Sequence, residues 1–285
     1  MASLRDIRTR IASVKSTRQI TSAMKMVAAA KLRRATDAAT GARPWNETLS
    51  NTLKRVAASA GDVEHPLLEA RREVKKIRFL LISSDRGLCG GFNANLNRRA
   101  EERIRQLRAE GKQVELWTYG KKSRDYFKSR GPQSARPTIE ITPAKFVAES
   151  TALAKLLEED FAAGAFDECW LGYNQFKSTL TQIPTFAKVL PISIEASSGP
   201  SADYVYEPGG AEILGTLLPM YVRTVLLQAF LETEAGEQAA RMTAMDSATR
   251  NASDLIDRLT LEYNRSRQAA ITKELIEIIS GAEAL

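Results

Sequence analysis

The chain has 285 residues, 44% of them hydrophobic, with a net charge of +7 and a pI near 9.4. That is enough apolar material for one ordinary core with long helices outside it. Two cysteines, Cys89 and Cys169, and one histidine, His65, exclude a disulfide scaffold and a cysteine–histidine zinc centre. The basic balance favours acidic partners without choosing among nucleic acid, anionic lipid and acidic protein surfaces.

The first predicted element is a long helix. Leu4, Ile7, Ile11 and Val14 repeat every three or four positions, and the apolar stripe is then expected to shift phase to Ile20, Met24, Val27 and Ala28. Ala28 to Ala30 allow close backbone approach, and no proline or glycine occurs before Gly41. Met1 to Thr36 holds nine Lys or Arg against one acid, Asp6, a bias shared with organellar transit peptides. The stripe continues past Met24 without a cleavage-like break, so a mature helix with a basic face is expected.

The middle of the chain changes rhythm. Lys76 to Ser83 reads as a buried strand, Asn93 to Glu110 as a helix, Gln113 to Thr118 as a second strand and Lys122 to Ser129 as a short helix. A longer helix is expected over Pro143 to Ala163, with Thr142 as N-cap and proline at its first position. Phe166 to Tyr173 reads as a third strand and Thr179 to Pro191 as a more exposed strand or hairpin broken by Pro184. Alternating strands and helices imply an α/β layer with a mainly parallel sheet.

A Ser, Gly and Pro-rich link follows between Ser197 and Gly210, and Pro219 is expected to fall early in the returning helix or to kink it. Gly236 is a second expected weak point. From about Ala235 to Ala284 the chain is helix-forming, with Met242, Met245, Thr249, Ala252, Ile256, Leu259, Tyr263, Ser266 and Ala270 along one thin seam. No Gly or Pro interrupts Glu237 to Ser280, which allows roughly 65 Å of helix at about 1.5 Å per residue. A helix of that length needs a mate, a partner protein, or both. The two ends of the chain are therefore expected to form an antiparallel coiled coil with an inserted Rossmann-like α/β domain. The corresponding division is 1–60, 74–195 and 208–285. No run of 18 or more apolar residues is present, so a membrane span is not expected.

Candidate chemistry is sparse. The loop from Ser83 to Asn93 puts glycines between a strand end and a helix start, where phosphates bind in many folds. It has neither a Gly-Lys-Ser/Thr ending nor a G-x-G-x-x-G, which favours a tight turn in which Asp85 and Arg86 satisfy local backbone or each other. Cys89 lacks a histidine helper, and both cysteines read as small buried hydrophobes. The pairs Glu101–Glu102 and Glu158–Glu159 sit at adjacent helix positions and read as solvated surface. Nucleic-acid binding is the main rival, but Arg250, Arg258, Arg265 and Arg267 alternate with Asp246, Asp254, Asp257 and Glu262, a mixed face suited to protein contact.

Several segments carry a resemblance. Ile11 to Thr17, Gln19-Ile20-Thr21 and Ala23 to Lys31 resemble the N-terminal helix of the gamma subunits of rotary F-type ATP synthases, bacterial type. Ser84 to Asn93, Tyr173 to Ser178 and Tyr206-Glu207-Pro208 are similar to motifs of that family's central region. Ala240 to Met245, Ala248 to Ala252, Tyr263-Asn264-Arg265 and Arg267 to Glu277 are similar to its C-terminal signature.

The resemblance implies a rotor shaft that stands in a ring of three alpha and three beta subunits. Its foot meets the epsilon subunit and a c-subunit ring. Proton flow turns the ring and the shaft, so that ATP is made on beta; the chain itself has no catalytic residue and no cofactor. The resemblance further implies alpha and beta contacts at Met24, Lys25, Arg267, Gln268 and Thr272, and epsilon and c-ring contacts at Tyr204, Tyr206 and Glu207. It implies no nucleic-acid partner, and a peripheral position on the cytoplasmic face of a bacterial inner membrane, reached only through the c ring. Chloroplast members carry an inserted redox-switched cysteine pair. Here Pro191 to Tyr206 has no cysteine, which argues against thiol regulation and for the bacterial type, with a mature mitochondrial form as the alternative.

Overall fold

The computed structural model describes residues 3–60, 65–136, 138–140, 142–193 and 209–283. They belong to two compact units, one formed by residues 1–29 with 241–285 and the other by residues 30–240. Two helices contribute to both units: α1 (Leu4–Ala60) and α5 (Gly210–Glu283).

The first unit is an antiparallel helix pair. Thr249 Oγ1 donates to Thr21 Oγ1 at 2.8 Å, and Lys25 Nζ donates to Asp246 Oδ1 at 2.6 Å, so the chain rises on one helix as it falls on the other. On α5 the seam follows the predicted residues: Met245, Ala252, Ile256 and Leu259 are buried, and Thr249, Tyr263, Ser266 and Ala270 are half-buried. On α1 the expected phase shift does not occur. Ile20 and Val27 are each 57% exposed, while the inward line runs through Ile7, Ile11, Val14, Arg18, Thr21 and Ala28. The three–four rhythm of the pair outweighs local hydrophobicity here, because Thr21 has a hydroxyl partner across the seam.

The second unit is built on a four-stranded sheet of order β2-β1-β3-β4. Strands β1 (Lys76–Ile82), β2 (Gln113–Tyr119) and β3 (Glu168–Phe176) are parallel, and β4 (Gln182–Leu190) returns antiparallel to β3. Central β1 reads as a continuous apolar run because both of its faces are covered. Ile77, Phe79 and Leu81 pack with Leu96, Ala100, Ile104 and Leu107 of α2 (Phe92–Ala109) and Phe127 of α3 (Lys121–Arg130). Leu80 and Ile82 face the other way, in a core with Leu153, Leu157 and Phe161 of α4 (Phe146–Ala162), Leu53 and Val56 of α1, and Leu214 to Phe230 of α5.

Arg78 is the exception on β1 and is 5% exposed. Its guanidinium lies between the rings of Trp117, at 4.0 Å, and Phe166, at 4.4 Å, and it pairs with Asp160 and Glu115. Burying that charge is tolerable only because two carboxylates and two aromatic faces meet it.

Several local expectations change. Thr142 makes no side-chain cap; Pro143–Lys145 forms a 3-10 turn, and α4 begins at Phe146. Strand β3 starts at Glu168 and runs to Phe176, prolonged by its hairpin partner. Pro184 does not break β4, because an edge strand can leave the missing N–H pointing outward. Pro219 falls early in α5, as expected, and Gly236 lies inside the helix without ending it. An 18-residue stretch of α5 reaches a mean hydropathy of 1.4, long and apolar enough by composition to cross a membrane. It is not an unbroken apolar run, in keeping with the sequence reading, and Leu214, Leu218, Val222, Leu226 and Phe230 of α5 are buried in the second unit's core.

Two tyrosines make this core sensitive to alkali. Burial pushes the Tyr119 and Tyr173 hydroxyls up from 10.0 to about 12. A raised folded value means that the stabilisation is complete below the unfolded value and is lost as pH rises through the folded one, on the order of 2–3 kcal/mol for each tyrosine. Urea midpoints should stay level up to about pH 9, where the buried Cys169 thiol, raised from 9.0 to about 12, begins to count, and fall more steeply from about pH 10 toward pH 12 as the tyrosines join it. The fall should shrink in Tyr119→Phe and Tyr173→Phe, and a fall as large as the parent's in both variants would refute the assignment.

Candidate contact surfaces

With Thr21 set against Thr249, the first turn of α1 lies opposite the region near Ser266, and α5 continues beyond it. Every described residue from Ile271 to Ser280 is exposed. Ile271, Leu275, Ile276, Ile278 and Ile279 are 49–67% exposed, an apolar surface that nothing in this unit covers among the described residues. Patches of this kind mark contact sites. Arg267, Gln268 and Thr272 are exposed on the same stretch, with Gln268 and Thr272 one turn apart on a shared face. The exposed isoleucines were not singled out in the sequence, although their three–four spacing beyond the end of the seam is a readable signal.

Met24 is half-buried beside the seam and Lys25 is exposed. Hydrogen bonding from Lys25, aided by Arg250, holds the Asp246 carboxyl below its ordinary value of 3.8. This contribution is present above that value and is lost as pH falls through the depressed one. On the mixed face expected on α5, Arg250 Nη2 lies 2.8 Å from Asp246 Oδ2, and farther along the helix Lys273 Nζ lies 3.5 Å from Glu277 Oε1. The structure thus brings Met24 and Lys25 to one part of the coil and Arg267, Gln268 and Thr272 to its α5 end. Tyr204, Tyr206 and Glu207 lie outside the described residues.

The glycine-rich loop is closed by its own side chains. Asn93 Oδ1 accepts from the Ser84 amide at 3.1 Å, Asn93 Nδ2 donates to Ser84 Oγ at 2.7 Å, and Ser84 Oγ donates to the Arg86 carbonyl at 2.7 Å. Asp85 Oδ1 accepts from the Lys121 amide at 2.9 Å, so it serves the start of α3 instead of pairing with Arg86. Leu88 and Gly90 take positive φ, 61° and 56°. A tight turn results, held by Ser84 and Asn93 side chains.

Both cysteines are buried, and burial pushes the Cys169 thiol up to about 12. His65 Nδ1 accepts from the Leu67 amide at 3.2 Å and caps a 3-10 turn. Two of the carboxylates expected to be solvated are half-buried. Glu101 accepts from the Tyr126 hydroxyl at 2.6 Å, and burial, with the Glu159 charge beside it, raises Glu158 above the ordinary carboxylate value.

A family model described as ATP synthase matches residues 3–285. The ATP synthase gamma chain of Desulforamulus reducens is 50% identical over 287 residues, covering all of both chains. The chain belongs to the ATP synthase gamma chain family. The gamma chain of Rhodospirillum rubrum is 46% identical over 299 residues, again covering both chains fully. Among solved structures, a chain of the Euglena gracilis mitochondrial ATP synthase (OSCP/F1/c-ring, rotational state 3) superposes with a TM-score of 0.65 at 22% identity, covering 99% of this chain and 94% of that one. A chain of the Tetrahymena thermophila enzyme (central stalk and c ring) gives 0.59 at 22% identity, covering 80% and 99%. These likenesses agree with the gamma family's fold of terminal helices and a central mixed α/β sheet.

Proposed function

We propose that this chain is the central rotor shaft of an F-type ATP synthase. It carries rotation of a proton-driven c ring to the catalytic sites on three beta subunits, and runs in reverse during hydrolysis. The observation that carries this reading is the continuation of α5 beyond the first turn of α1 as a single exposed helix with apolar residues every three or four positions. Such a helix fits a narrow opening in a partner, and its chemistry is contact and shape, not catalysis. The three parts, 1–60, 74–195 and 208–285, then serve as one arm of the coil, the foot and the second arm. Met24, Lys25, Arg267, Gln268 and Thr272 meet the alpha and beta ring; Tyr204, Tyr206 and Glu207 meet epsilon and the c ring. The chain reaches the membrane only through that ring, on the cytoplasmic face of a bacterial inner membrane.

A shaft that turns should not bind tightly at a single angle. The charged residues beside the apolar ones are solvated and favour weak, angle-dependent contacts. Arg267→Ala with Gln268→Ala in the reassembled complex should lower proton-coupled ATP synthesis by about tenfold, the equivalent of one charge-assisted hydrogen bond. The yield of assembled particle should not change. Unaltered synthesis would remove these two residues from the contact set.

A further inference from the structure

We propose that Arg43 and Glu232 form the torque-bearing joint that fastens both long helices to the β3–β4 hairpin. Phe176, the last residue of β3, has both backbone groups taken by side chains of the helices. Its amide donates to Glu232 Oε2 at 3.3 Å, and its carbonyl accepts from Arg43 Nη2 at 2.7 Å. The same Nη2 lies 3.3 Å from Glu232 Oε1. One turn earlier on α5, Gln228 Nε2 donates to Glu232 Oε1 at 2.8 Å and to the Ala39 carbonyl at 3.3 Å, while Gln228 Oε1 accepts from Asn46 Nδ2 at 2.9 Å. Segments from α1, α5 and β3 therefore meet at one carboxylate whose side chain is 5% exposed.

One turn later, Gly236 brings the α5 backbone against the sheet. A Cβ there would stand 2.8 Å from the Phe92 ring and 3.3 Å from Gln182. Residues 228, 232 and 236 thus form a stripe on α5 that is fixed over three successive turns to α1, to the end of β3, and to the starts of α2 and β4.

Stability alone does not account for this arrangement, because a well-packed apolar substitute for a buried ion pair is often neutral or better. What the pair supplies is direction. Apolar helix faces slide at little cost, whereas charge-assisted hydrogen bonds to a strand's backbone hold one position. On the shaft reading, on which this inference rests, torque entering through the α/β part must pass into the helices, and this joint is where side chains tie the hairpin to both of them.

The test uses the assembled alpha–beta–gamma particle fixed to a surface, with a bead attached through Ala109→Cys on the exposed end of α2. The angular variance of the bead during the ATP-waiting dwell reports the torsional stiffness between the bead and the ring. We expect Arg43→Ala and Glu232→Gln each to raise that variance at least twofold, and Arg43→Lys to recover at least half of the loss. A melting-temperature change with unchanged variance would overturn the inference and leave a merely structural pair. Where a variant does not assemble, Gln228→Ala on the same stripe takes its place, with the same criterion. A parent particle whose bead never rotates would instead overturn the shaft reading.

Discussion

Ile256→Asp is expected to open the helix pair of the first unit while the α/β unit stays folded. Ile256 is 6% exposed in the seam, between Ala252 and Leu259. That seam is thin. Its larger buried side chains are few and are interspersed with Ala28, Thr21, Ala252 and Thr249, and each large one contributes about 1.5–3 kcal/mol. Removing the isoleucine forfeits about 2–5 kcal/mol, and an unpaired buried carboxylate adds several more. The sum exceeds what so thin a seam can supply. Trypsin should then cut at Lys15, Arg18 and Lys25, which the paired helix protects, and proton-coupled turnover of the reassembled complex should fall more than tenfold. Parent-like protease resistance would show that the pair does not depend on its seam.

Gly120→Ala is expected to be the most damaging single methyl group in the α/β unit. Gly120 has φ of 94° and follows directly on β2. A Cβ at that position would fall 2.2 Å from the Ser83 carbonyl oxygen and 2.6 Å from its carbon, and neither is a movable side-chain end. The neighbouring hydrogen bonds depend on that close approach: the Ser83 amide donates to the Tyr119 carbonyl at 2.8 Å, and the Ser123 amide to Ser83 Oγ at 3.0 Å. Positive φ adds about 1 kcal/mol or more for an L side chain, and separating β1 from the start of α3 brings the expected loss above about 4 kcal/mol. Urea denaturation of the purified chain measures it, and a midpoint within error of the parent would contradict the geometry.

These two positions mark how far the sequence is readable. Ile256 belongs to a repeat in one helix, and periodicity alone identified it with the rest of the α5 seam. The β1 run was legible for a similar reason, since a strand covered on both faces has no polar alternation to hide it. Ile20 and Val27 misled because they are hydrophobic and locally spaced, yet the pairing rhythm across the coil is satisfied by Thr21, whose partner Thr249 is far away in sequence. Arg43 and Glu232 were invisible in the same way: they are separated by 189 positions, and each alone reads as a helix-surface charge. The need for glycine at position 120 lies in a backbone approach to Ser83, which no local pattern encodes. For the proposed contact residues, the resemblance supplied positions, and the structure added the exposed isoleucines beyond Arg267 and Gln268.

The central claim is that this chain turns inside a partner ring. The most direct measurement co-expresses it with alpha and beta subunits from the same source, fixes the purified particle by its beta subunits, and follows a bead on Ala109→Cys during ATP hydrolysis, beside a deletion that ends at Asn264. The account predicts one copy of this chain per three alpha and three beta subunits and unidirectional rotation in three steps per turn, with torque reduced by the deletion. A chain that fails to co-purify, or a bead that stays still while the particle hydrolyses ATP, would contradict it.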